Sequence, residues 1–480
     1  MRTSSIWSPR IIGAVAAMMA VVVACGQKPG VHVATEGQQA GSADVAADGS
    51  PDGSGQPTAG PTSVGAGEGP AGGAVGNLPQ QGGGAAAPGT AQQPGQSVSS
   101  GSGATYQVRG SDRTGVTDTT ITLAAHAPVT GAAPLPAVVF EESADLYWRW
   151  IREQGDGKVL GRDIEIAFQD DRYTPTTARQ ICRQLMQVGF IMSGVGADGI
   201  GACAPLAAQL EVPYISFGAD EGALAGNPWY FAVSATYPQQ SELWSQYMRR
   251  HFPGQKVGAI AIDTVNWNAS VEAWQSGLAN KGIEFRETLR HPREGTDWYA
   301  PFARQLNDDG VEVVFALTSP LHLIRFAQVA RDNGYDFHLL YLAPGTLNAI
   351  LENGCPAMEN ATSFSTWPSL DVIDQVDPDF MRAVERFDIS RNDLDLSLAL
   401  WGVNKTAHHM FLEYGRRYGN DLTREDFRDM METITISTGL FPDQAFTPSN
   451  HFGTRPGVHV VTADCDREIW ADAGTFRTGF

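Results

Sequence analysis

The chain has 480 residues, 42% hydrophobic and 18% charged, with 53 Asp+Glu against 33 Lys+Arg and a formal net charge of −20. That length accommodates two or three packed units. The acidity argues against nucleic acid as a partner, because phosphate contacts need clustered Lys and Arg. Five cysteines without any C-x2-C spacing exclude a disulfide-dense mini-domain and a zinc module.

Residues 1–24 read as an export signal. Arg2 and Arg10 supply the positive start, and Ile11 to Ala24 carries no charge, polar side chain or proline. That run is short of the roughly 20 apolar residues a spanning helix needs. It ends in Val22-Val23-Ala24-Cys25-Gly26, which resembles a bacterial lipobox with Cys25 as the lipidated cysteine. The expected location is therefore outside the cytoplasm, lipid-anchored to the outer face of the cell membrane. Residues 25–110 are rich in Gly, Pro and Ala, and the stretch between Trp7 and Tyr106 has no aromatic residue. Such a segment buries too little apolar surface to offset its ordering entropy, so it reads as a disordered tether.

The folded part is expected from about residue 116. Ile121 to Ala125 is a β-type run, Glu142 to Gln154 helical, and Ile164 to Phe168 a strand. A helix follows over Thr176 to Gln187, a strand over Gly189 to Val195, and a helix over Ala202 to Leu210. Pro213 to Phe217 and Phe231 to Ser234 are further strands. The rhythm restarts with a helix over Gln239 to Phe252. Strands are then expected at Val257 to Ile262, Glu284 to Leu289, Val311 to Leu317 and His338 to Leu342. The helices between them span Ser270 to Lys281, Trp298 to Asn307 and Leu321 to Asn333. Strands alternating with helices of this length mean βαβ units and parallel sheets. Beyond Thr366 the pattern is helical only, over Phe380 to Phe387, Leu396 to Arg416 and Arg424 to Ile434.

Particular segments now carry a family likeness. Gln169-Asp170-Asp171 with Pro175 and Ala178, the run Val212-Pro-Tyr-Ile-Ser-Phe, Val311-Glu-Val-Val-Phe-Ala with Ala327, Ala330-Arg331 and Gly334, Phe364-Ser-Thr-Trp-Pro, and Leu398-Ala-Leu-Trp-Gly stand in order along the chain. Together they resemble the type I solute-binding proteins, in the leucine/isoleucine/valine-binding branch of ABC importers. The resemblance implies an α/β fold of two doubly wound parallel-sheet lobes joined by a three-segment hinge. Lobe 1 would comprise 116–237 plus 366–448, and lobe 2 would comprise 238–365 plus 449–480. The crossings fall near Ser234–Pro238, Ser363–Pro368 and Thr447–Gly453. It implies a monomeric, non-catalytic binder that captures a small polar solute between the lobes and hands it to an ABC permease, with no cofactor and no metal. The rivals are a ligand sensor reporting to a membrane receptor and, behind it, an exported enzyme.

With Cys25 lipidated, four cysteines remain, and these allow three pairings. Pairing within lobes, Cys182 with Cys203 and Cys355 with Cys465, leaves the hinge free and is the expectation, against four free thiols. Carried over position by position, the lobe 1 ligand loops are Gly196-Ala197-Asp198-Gly199 and Gly218-Ala219-Asp220. Lobe 2 contributes Trp267, Thr318 and Ser319, with Gly345 near the position of an ammonium-binding acid. The ligand-binding set is thus Ala197, Asp198, Gly218, Ala219, Asp220, Trp267, Thr318 and Ser319. Asp198 and Asp220 stand at helix openings, as N-caps or as a built-in negative charge, and argue against a branched-chain amino acid as ligand. Gly194, Gly196 and Gly199 also fit G-x-G-x-x-G, yet they follow the third strand of an exported protein, so no nucleotide is expected. His408 and His409 are adjacent on a helix and diverge by about 100°, too far apart to chelate one ion.

Overall fold

The computed structural model describes residues 31–33, 106–131, 134–155, 157–216, 224–342, 347–359, 361–453 and 457–477. Cys25 and the signal segment lie outside the described residues, as do Gly218, Ala219, Asp220 and Gly345.

The first lobe is built on six parallel strands: β1 (Val31–Val33), β2 (Thr120–Ala127), β3 (Asp163–Asp170), β4 (Ile191–Gly194), β5 (Tyr214–Ser216) and β6 (Tyr230–Ala232), in the order β1-β3-β2-β4-β5-β6. Val31–Val33 extends the edge of this sheet beside β3, although the sequence reading assigned that stretch to the tether. The folded body also begins before residue 116. The Arg109 and Gly110 amides donate to Asp426 at 2.9 and 2.8 Å, and those of Ser111 and Asp112 to Glu425. On one face of the sheet, Pro175–Leu185 and Ala197–Leu210 are tied by the Cys182–Cys203 disulfide. On the other, Ala137–Ser143 and Leu146–Glu153 pack with the long helix Leu394–Tyr418, where the Trp148 indole donates to Asn404 at 2.8 Å. The single helix expected over Glu142 to Gln154 is broken at Ala144 and Asp145.

The second lobe contains β7 (Val257–Ile262), β8 (Phe285–His291), β9 (Val313–Leu317), β10 (His338–Leu342) and β11 (Thr362–Ser365). After a small two-residue pair, β12 (Thr435–Ile436) with β13 (Gln444–Ala445), come β14 (Gly457–Asp464) and β15 (Ile469–Arg477). The sheet order is β15-β14-β11-β10-β9-β7-β8. β7 to β11 are parallel, and β14 and β15 close the sheet as an antiparallel pair. The sequence reading found no strand beyond Thr366. β9 shows why the parallel strands read as unbroken apolar runs. Val313, Phe315 and Leu317 join the core with Trp244 and Trp274, while Val314 and Ala316 face Leu323 and Phe326 on the opposite side. The Cys355–Cys465 disulfide fastens this lobe within itself.

The chain passes between the sheets three times: between Ala232 and Tyr237, between Ser365 and Ile373, and between Ala445 and Gly457. The first crossing ends in a capping box. The Thr236 hydroxyl accepts from the Gln239 amide at 3.3 Å, and the Gln239 side chain accepts from the Thr236 amide at 3.0 Å. Two orphan donors at the start of the helix Tyr237–His251 are thereby satisfied.

Candidate functional site

Both sheets point the carboxyl ends of their strands at one recess between the lobes. Open α/β sheets bind ligands at this end. From the first lobe come Pro128 after β2, Tyr173 after β3, and Gly196 and Ala197 after β4. From the second come Ile262, Trp267, Thr318, Ser319 and Tyr341, at or just beyond the ends of β7, β9 and β10. Tyr237, the first residue after the first crossing, completes the wall and stacks on Trp267 with ring centroids 4.7 Å apart.

Five of the eight predicted ligand-binding residues lie among the described residues. Ala197, Trp267, Thr318 and Ser319 are brought together on the wall of this recess. Trp267 is 3% exposed and packs into the second core while also facing the recess, so packing and cleft lining are combined in one side chain. The Thr318 hydroxyl donates to His291 Nε2 at 2.9 Å, because His291 Nδ1 is committed as donor to the Pro292 carbonyl at 2.8 Å. Burial pushes the His291 imidazole down to about 4, which keeps it neutral. The Ser319 hydroxyl accepts from the His322 amide and caps the helix Pro320–Asp332. Both hydroxyls therefore have structural partners.

Asp198 departs from expectation. The helix begins at Ala197 rather than near Ala202, and its cap is Gly196 at φ 91, a left-handed backbone that glycine adopts without strain. Asp198 is thus the second helical residue and not the N-cap. Its carboxylate, fully buried, instead crosses to the other lobe. There it pairs with the Arg293 guanidinium just beyond β8 and accepts from the Thr264 hydroxyl beyond β7 at 3.1 Å. Arg293 also donates to Thr264 at 3.2 Å and lies over the Tyr173 ring, 5.7 Å from its centroid. Its carbonyl accepts from His322 Nε2 at 3.0 Å, since His322 Nδ1 accepts from the Tyr299 hydroxyl at 2.7 Å. Arg293 was not singled out in the sequence, where nothing links it to a residue 95 positions away.

Burial, with the Asp198 charge second, raises the Tyr173 phenol well above its usual range, and burial does the same to Tyr341. Both remain neutral hydroxyls at physiological pH. Among the described residues, the cluster closest to a metal-ligand set is His126 with Cys182 and Cys203. Both of its sulfurs are spent in the disulfide. His126 Nδ1 donates to Asp171 and Nε2 accepts from Tyr214, each at 2.6 Å, in a buried chain that braces the floor of lobe 1. No described helix is long and apolar enough to cross a membrane.

The family profile described as Periplasmic binding protein matches residues 120–467. Solved structures agree in fold. A fatty acid ABC transporter substrate-binding protein from Thermomonospora curvata is 18% identical, covers 77% of this chain and 94% of its own, and superposes with a TM-score of 0.63. A branched chain amino acid ABC transporter protein from Thermus thermophilus with bound valine is 14% identical over 76% of this chain and 98% of its own, at a TM-score of 0.65. A solute binding protein from Rhodopseudomonas palustris in complex with 3,4-dihydroxy benzoic acid is 18% identical over 75% and 98%, at 0.61. No curated protein matches the chain in sequence.

Proposed function

Since the chain belongs to the periplasmic binding protein family, the substrate-binding proteins of ABC transporters, we propose that it captures a small organic solute between its lobes and delivers it to a membrane permease. It works as a monomer outside the cytoplasm, held at the membrane by lipid on Cys25, and binds its solute without catalysis. The carrying observation is the recess itself, walled by strand ends of two separately stapled sheets that three crossings connect. Disulfides confined within lobes leave the crossings to bend, as hinge closure around a ligand requires.

The wall also bears on the ligand. Tyr173, Tyr237, Trp267, Tyr341, Ile262 and Leu347 present mostly carbon, which favours a less polar solute than the sequence suggested. The relatives named above for a fatty acid and 3,4-dihydroxy benzoic acid support a substantial apolar or aromatic part. A ligand stabilises the closed form only through its greater affinity for it. Small-angle scattering against a panel of aromatic and aliphatic alcohols, amides and carboxylates tests the proposal. A saturating ligand is expected to reduce the radius of gyration. An unchanged radius with a tightly bound ligand would remove the hinge mechanism.

A further inference from the structure

We propose that Asp198 is the protein's own occupant of the anion position in the cleft, and that it makes the recess select uncharged ligands over carboxylates. The inference rests on the reading of the recess as the ligand site. The first turn of Ala197–Leu210 opens at the recess, and a helix start carries free N–H groups and partial positive charge. The facing lobe adds a guanidinium and a hydroxyl. These are elements of a carboxylate receptor, and its guanidinium and hydroxyl are already directed at the Asp198 side chain: Arg293 pairs with one oxygen and Thr264 donates to the other.

No described residue on the wall of the recess is charged. Arg293 lies behind that wall, over the ring of Tyr173, and a ligand carboxylate that recruits it takes it from Asp198. That exchange strands a fully buried aspartate next to a second negative charge. Removing one partner of a buried pair is among the costlier changes a protein can undergo. An uncharged ligand avoids it and uses the aromatic faces of Tyr173, Tyr237 and Trp267 and the neutral phenols. Specificity thus comes from a repulsive element as much as from attraction. The Arg293 guanidinium also has partners besides Asp198, donating to the Thr264 hydroxyl at 3.2 Å and lying over the Tyr173 ring. Deleting the aspartate side chain therefore leaves the cation in position.

The test compares benzoate with its neutral isostere benzamide, and acetate as a filler of the vacated space. The proteins are wild type, Asp198→Ala and Asp198→Ala/Arg293→Met, read by calorimetric titration and thermal melting. The benzoate-to-benzamide affinity ratio is expected to rise at least about tenfold in Asp198→Ala and to fall back in the double variant. Acetate should raise the melting temperature of Asp198→Ala alone. Should Asp198→Ala fold poorly, Asp198→Asn keeps the volume, removes the charge and should shift the ratio in the same direction. An unchanged ratio, including no benzoate binding to any variant, overturns the proposal. If another ligand still closes the lobes in that case, only the charge filter is lost. If no ligand closes them, the recess is not the binding site.

Discussion

Asp395 offers a quantitative check on the junction between lobes. It stands at the start of the helix Leu394–Tyr418 of lobe 1, is 4% exposed, and accepts from the Leu396 amide at 2.9 Å and from the Asn348 amide of lobe 2. Burial, reinforced by the neighbouring Asp393 charge, pushes its carboxyl up to about 7 from 3.8, against the lowering effect of the two amides. Below 3.8 the group is neutral whether the chain is folded or unfolded. Between 3.8 and about 7 the folded protein keeps a proton that the unfolded chain releases, so stability falls as pH rises. Above about 7 both states are ionised and the loss is complete. At 1.36 kcal/mol per pKa unit, the loss is on the order of 4 kcal/mol. Asp395→Asn removes the charge at every pH and keeps one acceptor oxygen for the two amides. In urea denaturation the stability of wild type relative to the variant should therefore fall by about that amount between pH 4 and pH 8. A difference between the two proteins that does not change with pH would refute the reasoning.

Four further outcomes are expected. Cys355→Ser with Cys465→Ser should cost about 4–5 kcal/mol, because this bridge closes a loop of sequence separation 110, and the Cys182–Cys203 bridge, separation 21, about 3 kcal/mol; equal denaturation midpoints for the two variants would contradict the ordering. Arg424, 3% exposed, pairs with Asp112 and donates to the carbonyls of Met186, Gly189 and Phe190. Arg424→Ala should therefore destabilise by about 3–5 kcal/mol in the same assay, and a loss below 1 kcal/mol would refute the clamp. Trp267→Ala should lower affinity for the identified ligand about tenfold or more by removing an aromatic wall, checked by titration beside a folded control spectrum. Cys25→Ser should move the protein from the membrane fraction to the soluble one, and continued pelleting would refute the lipid anchor.

Strands buried on both faces were the most legible part of the fold. Val257–Ile262 and His338–Leu342 have in the structure the bounds read from sequence, because Val257–Ile262 and the four residues after His338 are apolar runs between polar turns. β14 and β15 escaped notice for the opposite reason. Thr462, Asp464, Asp472 and Thr475 interrupt their apolar positions. β14 pairs with β11, about 100 residues away in the chain, which local periodicity does not register. At the site, Ala197, Trp267, Thr318 and Ser319 were placed by position along the chain and do meet on one wall. Of the two readings open for Asp198, a cap or a built-in negative charge, the cap does not hold, although helix starts favour aspartate locally. The positive φ of Gly196 moves the cap two residues earlier and sends the carboxylate across the cleft. Only the folded chain brings it to Arg293.

The central claim is that the recess between the lobes holds a small organic solute. Its most direct measurement is native mass spectrometry of the protein after incubation with a metabolite extract of its source cells and rapid desalting, beside a variant carrying Ala197→Trp. Ala197 lies on the wall of the recess and is 5% exposed, so the larger side chain fills the space a ligand would take. One compound bound to wild type at one per chain, and absent from the folded variant, is the predicted result. No compound on wild type, or equal retention by the variant, would contradict the account.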